Sequence, residues 1–344
     1  MKSYKIIGLL LTVTFFHVAN GQEHSIDSSA TEKYIEPIKD LVTIKLVQHT
    51  EQETLGVITP TSKITLRPNS LSVSKLSFNY RFISFSLSHI MKFLPGNDDD
   101  NIKGKTRGSG FGFNFNFKHW QQELSYEKTK GYYLENTSDF ISGWKEGDPY
   151  TQFKDLTYLN FQGITAYNFN SNFSVNAVAN QSERQIKSAG SFIPHLLYRY
   201  YIIDDRTKLT GMNSSQKAGN WEVVLGAGYY HNFVFKKNWY FSMGLTPGLG
   251  YIFTDLTTRY PTETIVTKQK NAVFRIDGRT GLGYNGKRFF SGIHMKFSAS
   301  DYQQQRTKVT NQDQTVSWQL FAGYRFTTPK WLRTGVDRLV GGLW

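Results

Sequence analysis

The chain has 344 residues, no cysteine and a formal net charge of +13, so disulfides, thiolate metal sites and a lipid-attached cysteine are excluded. Aromatic residues make up 15% of the sequence and glycine is frequent, yet the mean hydropathy is −0.43. No apolar run beyond the N-terminus is long enough to form a spanning helix. This composition favours strands that are apolar on one face only.

The N-terminus has the features of a secretory signal. Lys2 and Lys5 precede an apolar run at 6–16, and the small residues Ala19 and Gly21 follow it. The sequence therefore predicts a signal peptide at 1–21. A membrane anchor is disfavoured, because the run is shorter than the roughly 20 residues that a spanning helix needs. Residues 22–40 are polar and are expected to form a periplasmic lead-in.

Alternation with a period of two dominates the rest of the chain. In the segment 110–117, four phenylalanines alternate with glycine and asparagine, so one face of a strand is aromatic and the other is polar. A soluble sandwich could give the same alternation. Strands of soluble proteins usually have about 5 to 6 residues, whereas a tilted strand that spans a membrane needs about 9 to 11. Segments such as 152–169 and 238–257 are long enough for the second kind. The prediction is an all-β, transmembrane, antiparallel up-and-down β-barrel at 41–326.

Two kinds of link separate these segments. Tight links are predicted near 118–119, 170–172, 236–238 and 285–287, and long polar links at the positions that follow: 91–107, 135–151, 205–218, 258–268 and 302–312. Short periplasmic turns and long outer loops are typical of such barrels. About 12 strands are predicted, with 14 as the alternative. The region 172–204 is too long for one strand and needs either an inserted loop or an extra crossing.

The C-terminal tail, 327–344, follows the last predicted strand. Its apolar residues recur at roughly helical spacing, as at Trp331, Leu332 and Val336. A short amphipathic helix on the periplasmic face and a disordered tail both remain open.

Four short stretches carry a resemblance to a known family. They are Leu66-Arg67-Pro68-Asn69, Lys103-Gly104-Lys105-Thr106, Thr129-Lys130-Gly131-Tyr132-Tyr133-Leu134 and Ser188-Ala189-Gly190-Ser191-Phe192. In this order, among alternating strands, they resemble an uncharacterised bacterial outer-membrane family, domain of unknown function 4421. The resemblance covers about residue 40 to Phe326 and implies the barrel and the export route. It implies no activity, ligand or catalytic residue.

Charged residues indicate which face of each strand lines the lumen, because an Arg or Lys at the lipid midplane would cost about 2–4 kcal/mol. Eight charged side chains are predicted to line the lumen: Glu123, Glu127, Glu222, Arg275, Asp277, Arg279, Lys296 and Arg325. They are four acids and four bases, so a lumen close to neutral is expected.

No motif in the sequence predicts chemistry. The histidines lie outside G-x-S-x-G and H-E-x-x-H contexts, and His119 and His294 are expected to have structural roles. The run Asp98 to Asp100 lacks the ligand spacing of an EF-hand. We therefore expect no enzymatic activity, catalytic residue, metal site or cofactor; a barrel enzyme is the least favoured reading.

The expected function is a narrow pore or transporter for small polar solutes in the outer membrane of a Gram-negative bacterium. Twelve strands would leave a free width of roughly 10 Å. The alternative is a structural or docking barrel that binds a partner through its outer loops, such as 135–151, or through the C-terminal tail. The expected partners are outer-membrane lipids and lipopolysaccharide, whose phosphates would neutralise the basic turns. Nucleic acid is not expected, because the export signal directs the chain out of the cytoplasm.

Overall fold

Antiparallel strands make up most of the protein. The computed structural model describes residues 33–58, 61–70, 72–94, 96–117, 119–211, 213–303 and 310–341; the predicted signal peptide lies outside them. The strands are β1 Ile35–Pro37, β2 Leu41–Ile58, β3 Lys63–Pro68, β4 Val73–Tyr80, β5 Ile83–His89, β6 Arg107–Asn116, β7 Trp120–Leu134, β8 Gln152–Tyr167, β9 Glu183–Gln185, β10 Ala189–Asp205, β11 Ser215–Phe235, β12 Trp239–Arg259, β13 Thr264–Asn285, β14 Phe289–Gln303 and β15 Thr310–Thr327. The helices are α1 Asp100–Lys103, α2 Asn176–Ala179 and α3 Lys330–Gly341, with a 3₁₀ turn at Thr137–Asp139.

Twelve of the described strands close into a barrel. β2 pairs with β4 on one side and with β15 on the other, and the ladder runs antiparallel through β5–β8 and β10–β15. The prediction of a closed antiparallel barrel with 12 strands is confirmed, and the alternative of 14 is not. We call the end where β2 begins and β15 finishes the turn end, because short links follow β4, β6, β11 and β13 there. The opposite end is the loop end.

The outer face of the barrel is apolar. Leu225 and Leu249 expose 67% and 68% of their surface, and Phe113 on β6 packs against Phe85 on β5 with ring centroids 5.0 Å apart. Exposed aromatic residues collect near the turn end: Phe117, Trp120, Phe235, Trp239, Phe289 and Phe326. An apolar band with an aromatic edge is the surface that a lipid bilayer requires. At 21 and 22 residues, strands such as β12 and β13 are longer than the roughly 9–11 needed to span it, so they extend beyond the band.

The short strand β3 narrows the loop end. It pairs with the end of β2 and the end of β7, and so bridges the wall above the shorter strands β4–β6. Three of the stretches that carry the family resemblance meet here. Asn69 donates its backbone N–H to Thr106 Oγ1 at 2.7 Å and its Nδ2 to Gly104 O at 2.8 Å, and Thr106 Oγ1 donates to Gly131 O at 2.6 Å.

Gly131 is required by this arrangement. It has a φ of +93° at an irregularity of the β7–β8 ladder, and a Cβ there would lie 2.1 Å from Lys105 O. Any side chain would collide with a backbone atom in a conformation that L residues rarely adopt. The glycine therefore allows the 103–106 stretch to pack directly on β7.

The C-terminal helix α3 lies at the turn end. Arg333 pairs with Asp40 at 3.0 Å, and Asp337 accepts from Arg81, in the turn after β4, at 2.6 Å. Val336 is buried, whereas Trp331 is exposed. No helix among the described residues is long and apolar enough to cross a membrane.

Candidate functional site

Residues 168–188, between β8 and β10, form a segment that fills the turn end of the lumen; we call it the plug. The sequence predicted a tight link at 170–172, and that prediction is wrong. Of the two possibilities left open for 172–204, the structure has the inserted segment, with β10 as a single crossing. Plug residues such as Phe173, Ala177 and Gln181 are buried. The barrel is therefore closed at the end where four of its five links are short.

The plug folds as it does because its Asn and Ser side chains bind its own backbone. Asn168 Oδ1 accepts from the N–H of Asn170, Asn180 Oδ1 from that of Ser182, and Ser174 Oγ from that of Ala177 at the start of α2. Such local bonds offer the backbone an alternative to a ladder and favour turns over strands. Phe173 anchors the segment by packing with buried residues at the ends of β8 and β10.

Hydrogen bonds join the plug to strands all around the barrel. The wall residues involved share the inward face: Lys45 on β2, Ser84 on β5, Asn116 on β6, Asn232 on β11, Asn285 on β13 and Arg325 on β15. Their partners include the carbonyl oxygens of Ser174, Ala177, Ala179 and Gln181. A 21-residue segment can reach these strands only from inside the lumen. Most of the bonds join a wall side chain to a plug carbonyl.

Arg325 is the central anchor of the plug. Its side chain is fully buried, and it donates to Gln181 O at 3.0 and 2.5 Å and to Asn285 Oδ1 at 2.6 Å. It also donates to Gly286 O and lies over the ring of Phe290. The guanidinium therefore links the plug to the turn between β13 and β14.

The plug also pairs with the segment before the barrel. β9 within the plug forms an antiparallel pair with β1, in the region predicted to be an unpatterned lead-in. Arg184 on β9 forms an ion pair with Glu36 on β1 and donates to Asn285 O at 3.0 Å. The chain that enters the barrel is thus bonded directly to the segment that closes it.

A chain of ion pairs crosses the lumen above the plug. Arg199 on β10 binds Glu222 at 2.6 Å and Asp313 at 2.7 Å. β10 and β15 are five ladder steps apart in a ring of twelve, so Arg199 joins nearly opposite walls. Arg275 makes two bonds to Asp277, at 2.9 and 3.0 Å, and lies 4.0 Å from Glu222. These paired, largely buried charges constrict the lumen.

Tyrosine and aliphatic side chains fill the lumen towards the loop end. Tyr132, Tyr158, Tyr201 and Ile252 are buried together, with Leu66 of β3 packed against them. They come from β7, β8, β10 and β12, so inward side chains of separate strands touch. A cavity of about 50 Å³ is lined by residues of β2 and β4–β7, with Glu127 and Thr129 among them.

Four basic side chains share one wall of the lumen between the plug and the ion pairs, and we call them the cationic group: Lys45, Lys75, Arg279 and Lys296. Arg279 and Lys296 are direct cross-strand partners on β13 and β14. Lys45 lies close enough to Lys75 and Lys296 to interact electrostatically, and its Nζ donates to Ala179 O of the plug at 2.6 Å. Arg279 stacks on the ring of Tyr230 at 4.1 Å.

The eight side chains predicted to line the lumen have different surroundings. Glu222, Arg275 and Asp277 belong to the ion-pair chain, Arg279 and Lys296 to the cationic group, and Arg325 is buried under the plug. Glu123 and Glu127 lie on the inward face of β7 and are exposed. The sequence reasoning missed Lys45, Lys75, Arg199 and Asp313, which complete these clusters, and it missed the plug.

His294 on β14 and His119 in the turn after β6 have hydrogen-bond partners. His294 Nε2 lies 2.9 Å from Tyr240 Oη, and His119 Nδ1 lies 2.7 Å from Asn168 O. Among the residues that the structure describes, no group of three His, Cys, Asp or Glu side chains is arranged to hold a metal ion.

Comparison with known proteins gives one match at the level of sequence families. The family described as "Domain of unknown function (DUF4421)" matches residues 25–326. Among curated proteins, none matches the sequence.

Several solved outer-membrane structures are similar to this chain. The outer membrane protease OmpT from Escherichia coli has 6% identity and a TM-score of 0.39, covering 84% of this chain and 97% of its own. The toluene transporter TodX of P. putida has 7% identity and a TM-score of 0.34, with coverages of 84% and 91%. Ail, the attachment invasion locus protein of Yersinia pestis, has 11% identity and a TM-score of 0.20, covering 84% of this chain and 99% of its own. At these TM-scores the likenesses carry no argument about activity.

Proposed function

The chain belongs to the DUF4421 family, and we propose that it is an outer-membrane barrel that transports a small polar solute through a lumen closed at rest by the plug. The observation that carries this proposal is how the plug is bound. Wall side chains donate hydrogen bonds to plug carbonyl groups, as Lys45 does to Ala179 and Arg325 to Gln181. Water can replace such bonds when the plug moves, at a net cost of about 1.5–3 kcal/mol for each bond from a charged donor.

The charged residues of the lumen above the plug support the proposal of a polar solute. Glu123 and Lys296 are exposed although they point inward, so there is space beside them. β7 is the sixth strand from β14 in either direction around the ring, which places the acid and the base on opposite walls. In this proposal the chain binds and passes solutes and catalyses no reaction.

The proposed location is the outer membrane, with lipids and lipopolysaccharide around the apolar band. Its support is the exposed leucine and phenylalanine surface of the closed barrel. We expect the protein in the outer-membrane fraction, with a change in gel mobility on heating, because a barrel without free edges resists detergent unfolding. Recovery as a soluble periplasmic protein would overturn this location.

Transport through a moving plug is tested by locking the plug to the wall. The chain has no native cysteine, and Asn180 Nδ2 of the plug lies 2.9 Å from Ser84 Oγ of β5. The double variant Ser84→Cys with Asn180→Cys can therefore be oxidised to a disulfide and then reduced. Flux of small sugars and amino acids is measured in reconstituted vesicles, with each single variant as the control.

We expect flux in the reduced double variant, loss of flux on oxidation, and no effect of oxidant on the single variants. Equal flux in the locked and unlocked states would refute a moving plug. Absence of flux in every state would refute transport and favour the second candidate, a docking barrel. That candidate has its own support, because Phe140 and Ile141 are exposed in the loop after β7, where the rings of Trp144 and Tyr150 pack with centroids 4.8 Å apart.

A further inference from the structure

Three basic side chains lie together on the outer face of the barrel, in the halves of β6 and β7 nearer the loop end. We call them the outer basic cluster: Arg107, Lys128 and Lys130. Arg107 and Lys130 are direct ladder partners, and Lys128 lies two residues from Lys130 on the same face of β7. That face continues from Phe111 and Tyr126, also ladder partners, whose ring centroids are 5.2 Å apart on the apolar outside. The three basic side chains are exposed and therefore point away from the lumen.

The height of the outer basic cluster along the barrel places it at the edge of the apolar band. Arg107 is ten residues from Phe117, and Lys128 is eight residues from Trp120, two exposed aromatic residues at the turn end. With a rise of about 3.4 Å per residue and a tilt near 40°, these separations are about 26 and 21 Å along the barrel axis. The apolar band of such barrels is about 25 Å tall. The basic side chains therefore reach the level of the lipid head groups.

One carboxylate compensates part of this charge. Strands β5 and β6 contain no acid, the two glutamates of β7 point into the lumen, and β8 contains only Asp155. Asp155 forms an ion pair with Lys130 at 2.9 Å, and about half of each side chain is exposed, so solvent weakens the pair. Among the described residues, the side chains of Arg107 and Lys128 have no ion pair or hydrogen bond. Positive charge therefore exceeds negative charge on this part of the outer wall.

We propose that the outer basic cluster binds a phosphate group of lipopolysaccharide. The inference rests on the proposed outer-membrane location and adds to it a specific lipid site. In barrels of this kind the long loops face the outside of the cell, so the cluster lies in the outer leaflet, which contains this phosphorylated glycolipid. Arg107 would present its fork of donors to the phosphate oxygens, and Lys128 would add a point charge beside it.

The charge and the surroundings of the cluster favour a phosphate monoester of a glycolipid over the diester of a phospholipid. A monoester carries a charge of about −1.5 to −2 at neutral pH, whereas a diester carries a single negative charge. Three bases and one acid leave an excess of positive charge that matches the monoester. Directly below the cluster, the rings of Phe111, Tyr126 and Phe161 form a packed row, with centroids 5.2 and 4.7 Å apart. This row offers apolar surface to the acyl chains of the same lipid molecule.

The test measures lipid binding to the folded, detergent-solubilised protein, so that it does not depend on solute flux. Lipid A, enzymatically dephosphorylated lipid A and phosphatidylglycerol are titrated at constant ionic strength, and native mass spectrometry counts the bound lipid. Arg107→Gln and Lys128→Gln remove one charge each from the cluster. Lys268→Gln is the matched control, because Lys268 is an exposed lysine of β13 whose ladder partner is the acid Asp255. Heat-modified gel mobility verifies that each variant is folded.

We expect saturable binding of lipid A to the wild type, weakened by about tenfold or more in Arg107→Gln and in Lys128→Gln, as for the loss of one charged hydrogen bond, and unchanged in Lys268→Gln. Dephosphorylated lipid A and phosphatidylglycerol should bind the wild type more weakly by a similar factor. Equal binding of the three lipids, or equal weakening by Lys268→Gln, would overturn the proposal. A wild type that fractionates with the outer membrane but does not bind lipid A would refute the lipid site alone, whereas a soluble periplasmic protein would refute the proposed location.

Discussion

Replacing the plug anchor Arg325 with alanine should open the barrel. The change removes both bonds to Gln181 O and leaves that buried carbonyl without its charged donor. The bonds from Arg325 to Asn285 and Gly286 hold the turn after β13 whether or not the plug is in place. Only the bonds to Gln181 therefore affect the opening of the barrel. A hydrogen bond to a charged group contributes about 1.5–3 kcal/mol. Since about 1.4 kcal/mol is a factor of ten, the open fraction should rise about tenfold to a hundredfold.

Single-channel recording in planar bilayers measures this directly. The wild type should be closed most of the time, and Arg325→Ala should show the same open level more often. Arg288→Ala is the control, because Arg288 lies at the same end and its side-chain hydrogen bonds among the described residues are to Arg325 O and Thr327 Oγ1. A folded Arg325→Ala that stays as closed as the wild type would refute the anchoring role. So would equal opening by Arg288→Ala.

Three further predictions concern the barrel wall. Phe113→Arg should block assembly, because placing its charge against lipid costs about 2–4 kcal/mol, whereas Asn114→Arg faces the lumen and should be tolerated. Equal outer-membrane yields of the two variants would show that the faces of this strand are wrongly assigned. Gly131→Ala should lower the thermal midpoint of unfolding more than Gly147→Ala. Both glycines have a positive φ, but only at Gly131 would the added Cβ collide with a backbone atom, so equal shifts would contradict the packing argument. Arg199→Ala should destabilise the protein by about 3–5 kcal/mol, since the buried Glu222 loses its 2.6 Å ion pair and keeps Arg275 only at 4.0 Å. Arg199→Leu with Glu222→Leu should cost less in denaturant unfolding, and an equal cost would refute this role of the ion pair.

The wall of the barrel could be predicted because its signal is local. Each strand reports its own faces through alternation, as at 110–117, and closure follows from the need to pair every edge. Phe113 and Asn114 illustrate this, since one is exposed on the apolar outer face and the other pairs with Glu123 on the inward face. The count of 12 came from lengths and links alone. The predicted barrel wall is confirmed in the parts of the chain where short and long links alternate.

The plug could not be predicted from alternation, because its structure depends on side-chain caps. Asn168, Asn170, Ser174 and Asn180 each bind backbone within a few residues. An Asn- and Ser-rich stretch of this kind signals turns, and it was present in the sequence between 168 and 182. What the sequence did not contain is where those turns would lie. That depends on wall residues such as Lys45 and Arg325, far away along the chain.

The missed lumen residues show a second limit. Lys75 could have been found, since Leu76 and Phe78 alternate with it and are exposed on the outer face. Asp313 is different, because its partner Arg199 lies 114 residues away and nearly across the barrel. Strand periodicity assigns a side chain to a face but says nothing about which opposite wall it reaches. Contacts across a lumen require the register of every strand in between.

The plug at the turn end and the tyrosine cluster towards the loop end are held by different interactions, and this difference indicates which end moves. Towards the loop end, Tyr132, Tyr158 and Ile252 are packed as an apolar core, and separating them would expose apolar surface at about 25 cal/mol per Å². At the turn end, the plug is bound mainly through its carbonyl oxygens, whose hydrogen bonds water can replace. Displacement should therefore begin at the plug.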